Sequence, residues 1–427
     1  MTGRRVGLTV AAAASLIVAL GGAGLSPAQS APPRQVVPPN TPQLEGGNPN
    51  VTYRDAAGHV HVVRFPQVTA GGRPDLGDYD LVAEMGGTRS TGTPSGYGST
   101  IDAANPLEHI DYRTAKGHVI ELWKSRVASD WNRTDLTAAA GTRARAKGDV
   151  VGWSHDSIGR QWVVYRATDN HIHALTWVSS SHHWRDTDLT VATHRHTKAA
   201  SDPTLYIDSV TLTPRPVLVY RGTDHHTHLM IWHVGSSVTA WTDQDVSKAA
   251  KWYGKPLGKP SGWASTYPAT SRRELHVVFR TANGHVQELY GGFGHAWLHN
   301  DLTSISHATV TARSDPQGTV GTDELSQDFE IVAYVGSDHA LHKMGYRFFT
   351  RIDPPSDHWG DGALETPVSK MGLWFQNGGE SYIVFVGGGH LRDNGRAWGP
   401  EITEVNDLTD LTGATTIPVG STGGYFS

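Results

Sequence analysis

The sequence predicts an all-β fold, a seven-bladed β-propeller of four-stranded antiparallel blades closed by a C-terminal strand. Three observations carry this. An aliphatic run ending in an aromatic, usually followed by Arg, recurs at Tyr53-Arg54, Tyr112-Arg113, Tyr165-Arg166, Tyr220-Arg221, Phe279-Arg280, Tyr334-Val335 and Phe385-Val386. The copies are 51 to 59 residues apart, close to kelch size, and such units must stack to bury their apolar faces. The chain also finishes with a strand that its first repeat lacks.

Within each copy the aromatic-Arg strand leads into a small polar turn and a second strand rich in His. An example is Trp162 to Arg166, the turn Ala167 to Asn170, then His171 to Leu175. Upstream stands a Gly-aromatic strand: Gly96-Tyr97, Gly152-Trp153, Gly262-Trp263 and, more loosely, Gly372-Leu373-Trp374. Downstream comes Trp, three residues, then Asp-Leu-Thr or a relative. Trp131 precedes Asp135, Trp184 precedes Asp188, Trp241 precedes Asp245 and Trp297 precedes Asp301. Each repeat therefore holds about four short β segments between Gly, Asn, Asp and Ser turns. No helical periodicity competes after the leader. The first repeat has no Gly-aromatic strand of its own, and Gly420 to Tyr425 supplies it. That strand is expected to close the ring and leave no unpaired edge between first and last blades.

At the N-terminus, Arg4-Arg5, an apolar run from Val6 to Leu20 and Ala28-Gln29-Ser30 form a signal peptide, residues 1–30. The run is shorter than the roughly 20 residues a bilayer span needs. A Pro/Gly-rich leader follows over 31–48, and one propeller domain occupies 49–427. The expectation is a secreted, extracellular protein with no membrane insertion after cleavage. With no Cys there is neither a disulfide nor a lipidated Cys, so stability falls to the core. A formal charge of −5 does not favour nucleic acid or anionic membrane. Fourteen Trp and fourteen Tyr suit either stacking on carbohydrate or wedging between blades.

In the second repeat, Arg113 and Glu121 are each four residues from Gly117, and Arg280 and Glu288 stand likewise around Gly284. Hairpins turning on those glycines would make each Arg–Glu pair cross-strand neighbours. One reading is an ion pair worth about 0.2–1 kcal/mol. The other is a guanidinium and a carboxylate gripping sugar hydroxyls together.

The repeated aromatic-Arg, turn, His-x-x-Glu-Leu and Trp-x-x-x-Asp-Leu-Thr pattern resembles the fucose-specific lectin propellers and the related bacterial seven-bladed lectins, from about Asn50 to Tyr425. The resemblance implies sugar held by an Arg and a Glu of one blade, with aromatics of the following blade stacking on it. Carried over, one site is Arg113 and Glu121 with Trp177 and Trp184, the other Arg280 and Glu288 with Tyr346. Other repeats depart from it, with Val62, Ala174, Leu229 and Lys343 at the Glu position.

The pairs His59-x-His61, His171-x-His173 and His226-x-His228 could each reach one metal ion, since i and i+2 share a face. No third ligand recurs with them, so they read as exposed strand histidines, with no metal and no cofactor expected. His182-His183 and His194-x-His196 fall in loops. The Asp-Leu-Thr aspartates read as turn-stabilising residues. Asp353, Asp357 and Asp361, with Trp359, form the one acidic cluster outside the blade pattern and read as a polar loop. No Gly-x-Ser-x-Gly, His-Glu-x-x-His or phosphate-binding loop occurs. The expected function is non-catalytic binding of glycans or glycoconjugates, fucose or related sugars, with the oligomeric state open. A structural or protein-docking propeller is the alternative, and a propeller glycosidase or lyase a more remote one.

Overall fold

The computed structural model describes residues 49–64, 77–101, 107–125, 130–208, 214–233, 240–267, 272–322, 328–347, 360–364, 368–377, 380–387, 390–395, 404–407 and 423–426. The expected signal peptide and leader lie outside them, as do Asp353, Asp357 and Trp359.

The described strands pair antiparallel into seven four-stranded sheets. The first joins Gly423–Phe426 to Pro49–Arg54, Val60–Arg64 and Gly77–Asp80. The second holds Ser95–Ser99, Leu107–Arg113, Val119–Ser125 and Asn132–Asp135. Ala146–His155, Arg160–Ala167, Ile172–Val178 and His183–Asp188 make the third. The fourth is Thr204–Asp208, Arg215–Arg221, Thr227–Trp232 and Trp241–Asp245. Leu257–Tyr267, Arg272–Arg280, Val286–Gly292 and His295–Asp301 make the fifth. The sixth is Gln317–Thr322, Asp328–Val335, Leu341–Arg347 and Gly360–Leu364. Val368–Asn377, Glu380–Gly387, His390–Gly395 and Glu404–Asp407 complete the seventh. The fold is an all-β propeller with four-stranded antiparallel blades.

The C-terminal strand pairs with the first repeat as expected, Pro49 opposite Phe426 and Thr52 opposite Gly423. Successive sheets meet face to face through mixed apolar clusters. Val60 and Val62 pack with Ile110 and Leu122, Val119 with Val163 and Tyr165, and Trp162 with Leu218 and Met230. The Gly-aromatic signal has its cause here. A Cβ on Gly152 would stand 2.3 Å from the Tyr97 ring of the preceding sheet, and one on Gly318 would stand 2.0 Å from Trp263. The aromatic of one sheet thus lies against the glycine of the next.

Among the described residues, five single-turn α-helices correct the expectation of strands alone: Leu81–Met85, Leu136–Ala139, Leu189–Ala192, Val246–Ala249 and Leu302–Ile305. One turn is too short to show a period, so the sequence announces it only through its cap. The Asp of Asp-Leu-Thr is that cap: Asp135 Oδ1 accepts from the Ala138 N–H at 3.0 Å. Its Oδ2 lies 2.7 Å from Nδ1 of His118, the residue just before the third strand. Leu136 is buried, and the Thr137 hydroxyl accepts the Val119 N–H at 2.9 Å. The same latch joins His59–Asp80, His171–Asp188, His226–Asp245 and His285–Asp301 at 2.6 to 2.8 Å.

Candidate functional site

The two expected Arg–Glu pairs are not cross-strand neighbours. Arg113 faces Val119 and Glu121 faces Asp111; Arg280 faces Val286 and Glu288 faces Val278. The turn is the reason. Thr114 and His118 close it by an N–H···O bond of 2.9 Å, so Ala115-Lys116 form its tip. Gly117 sits past the tip at φ 73°, where the left-handed conformation favours glycine. Each Arg shares a sheet face with its Glu but is displaced by two residues.

The arginines have other work. Arg166 Nε donates to Asp202 at 2.9 Å, Arg221 Nε to the Gly258 carbonyl at 3.1 Å and Arg280 Nε to Asp315 at 3.0 Å. Each acceptor lies in or just before the first strand of the following sheet, so the repeated Arg ties neighbouring blades together. Arg113 donates to the Thr91 carbonyl at 3.2 Å.

The glutamates lie in the seams between sheets. Glu121, 4 % exposed, is held by His109 Nδ1 at 2.9 Å and the Tyr97 hydroxyl at 3.4 Å. From the third sheet, Gln161 Nε2 reaches His109 Nε2 at 2.9 Å, and the Tyr97 ring stacks on His109 at 4.8 Å. Asp111 is fully buried opposite Glu121, and burial together with that neighbouring charge holds its carboxyl well above the usual range.

The fifth sheet repeats the arrangement. Glu288, 2 % exposed, lies 2.8 Å from His276 Nδ1 and accepts from Asn300 at 2.9 Å. His276 Nε2 lies 2.9 Å from the Ser265 hydroxyl and 3.1 Å from Glu330 of the sixth sheet. Burial pulls the His276 pKa down, but Glu330 and Glu288 outweigh it and raise the pKa to about 9. Burial and the Glu288 charge in turn raise Glu330, against the pull of His276.

His109 and His276 were missed in the sequence, although a signal was present. Each stands twelve residues before its glutamate, in the two repeats that carry one.

Trp177 is half-buried and cross-strand to both Gln161 and Trp184, so it stands beside the first seam. Trp184 packs at the edge of the apolar cluster between the second and third sheets. Tyr346 is in register with Glu330, the corresponding place in the second seam, and its side chain lies outside those described. The structure therefore brings Glu121 and Trp177 to one seam, and the Tyr346 backbone to that of Glu288, while each Arg serves elsewhere.

The His-x-His pairs are not exposed strand histidines. The second of each is buried and faces an Asp two residues before the helix cap: His61 with Asp78 at 3.2 Å, His173 with Asp186 at 3.1 Å, His228 with Asp243 at 3.1 Å. A Tyr ring covers each imidazole, Tyr53, Tyr165 and Tyr220 respectively. Burial lowers these three pKa values, but the carboxylates prevail and raise them above the ordinary 6.5. Among the described residues, Asp224 with His228 and Asp245, and His276 with Glu288 and Glu330, are close enough to hold a metal ion. In both groups each ring nitrogen of the histidine faces a carboxylate. An imidazolium donating on both sides suits that setting, whereas ligation would require a bare nitrogen.

No family model and no curated protein sequence matches the chain. Solved structures do resemble it. The BP39L lectin of Burkholderia pseudomallei is 12% identical, covers 87% of this chain and 99% of its own, and gives a TM-score of 0.51. AofleA of Arthrobotrys oligospora is 12% identical over 77% of this chain and 87% of its own, with a TM-score of 0.42. The Aleuria aurantia lectin, a six-bladed propeller, is 11% identical over 78% of this chain and 96% of its own, with a TM-score of 0.44. At 12% identity the likeness to the Burkholderia pseudomallei structure is one of fold alone.

Proposed function

We propose that the seven sheets close into a seven-bladed ring that binds saccharides without turning them over, in a secreted protein released by cleavage near Ser30. The observation that carries this reading is the seam between the second and third sheets. There the half-buried ring of Trp177 stands cross-strand to the amide of Gln161, an apolar face beside a hydrogen-bonding group, the combination a sugar requires. The likeness to a lectin propeller supports it. Fucose or a related sugar is the first ligand to try, since a mutant of Aleuria aurantia lectin has been seen in complex with alpha-methyl-L-fucoside. Catalysis is not part of the reading: Asp111, Glu121 and Glu288 are too buried to meet a substrate bond.

A glycan array tests it. Binding should fall at least tenfold, about 1.4 kcal/mol, in a folded Trp177→Ala variant. Binding unchanged by that substitution would remove the seam from the site. The burial of Glu121 and Glu288 favours a second reading, a propeller that docks protein, and the absence of binding to any glycan would select it.

A further inference from the structure

At two places the second sheet carries a base where the third and fourth sheets carry an acid. Just before the left-handed turn residues Asn170, His225 and His339 stand Asp169, Asp224 and Asp338; before Gly117 stands Lys116. Two residues before the helix caps stand Asp78, Asp186 and Asp243; in the second sheet the residue is Arg133. The imidazole that those carboxylates hold, His61, His173 or His228, is there replaced by Ile120. Two acids have become two bases, and the histidine they would hold has gone with them.

Lys116, Arg133 and Ile120 line a cleft of about 890 Å³, with Arg54 of the first sheet and Arg89 of the loop that follows it. Arg133 donates to the Thr88 hydroxyl at 3.1 Å and Arg54 to the Asp55 carbonyl at 3.3 Å, both neutral acceptors. The buried Arg54 Nε has no partner among the described residues. Asp135, the one carboxylate of the lining, is engaged by His118 and by its helix cap. Four cations therefore converge on a space of ligand size, in a chain whose formal charge is −5.

We propose that this cleft binds an acidic saccharide, one carrying sulfate or uronate groups, through Arg54, Arg89, Lys116 and Arg133. Guanidinium groups meet such planar or tetrahedral oxyanions with paired N–H donors. The preference for an anion rests on these charges alone, and the saccharide class rests on the lectin reading above.

Titration calorimetry with a sulfated disaccharide and a uronate oligosaccharide tests this. Affinity should fall as salt rises, and inorganic sulfate should bind more weakly than either sugar. Lys116→Asp with Arg133→Asp restores the charges of the third and fourth sheets and should lose about tenfold or more. Lys116→Gln with Arg133→Gln gives the same reading should the first pair fail to fold. Absence of binding at low salt, or equal binding by the folded variants, would overturn the proposal. An oligonucleotide that binds through these residues while the sugars do not would overturn the saccharide class. Neutral-glycan binding that responds to Trp177→Ala but not to the cleft variants separates this site from the seam.

Discussion

His276 concentrates the electrostatics of the fifth and sixth sheets. Its pKa rises from 6.5 to about 9 on folding, so its contribution to stability is complete below 6.5 and is lost as pH climbs through 9. Other buried groups of the sixth sheet titrate as well. Glu330 is raised to about 7, which costs stability as pH rises toward 7, and Lys343 is lowered to about 8, which restores some above 8. The informative quantity is therefore a difference. The urea-derived stability of the wild type relative to His276→Gln should shrink steadily from pH 6.5 to 9, and a flat difference would remove His276 from the balance. Asp188 makes a second case. Asp188→Ala deletes the helix cap and the His171 latch together and should cost about 1–2 kcal/mol, read as a lower melting temperature. The aspartate was legible in the sequence because Asp recurs before Leu-Thr. Its imidazole partner was not, since seventeen residues separate the two and only strand pairing brings them together.

At the scale of the element, strand content and repeat boundaries could be read because aromatic-Arg and Asp-Leu-Thr mark them directly. Hairpin register could not. Placing the turn on Gly117 rather than on Ala115-Lys116 shifts every cross-strand pair by two residues, which is enough to substitute Arg113 for Asp111 as the partner of Glu121. A glycine in a turn shows that a left-handed residue is needed, without giving its position relative to the tip. The Gly-aromatic strands bear a sharper test. Gly318→Ala forces a methyl group into the Trp263 ring and should destabilise by about 1–3 kcal/mol. The double variant with Trp263→Leu should recover part of that loss, measured as a coupling in a mutant cycle. Strictly additive effects would show that the two residues are not in contact.

For the whole molecule, the sheets are tied at several levels: apolar clusters, close aromatic–glycine contacts, and the arginines that reach the next sheet. The repeat made this architecture readable, because seven similar units with one strand missing at the start and one surplus at the end have a simple solution. Removal of residues 423 onward should expose the Pro49–Arg54 edge, lower the melting temperature and promote self-association in gel filtration. A truncated protein that stays monomeric and equally stable would deny the strand its closing role. The strand pairing of Pro49 with Phe426 also sets an order of events during synthesis. The first sheet remains one strand short while six others are made. For that interval its open edge is available to any extended segment that passes, so the earliest blade to emerge is the last to be finished.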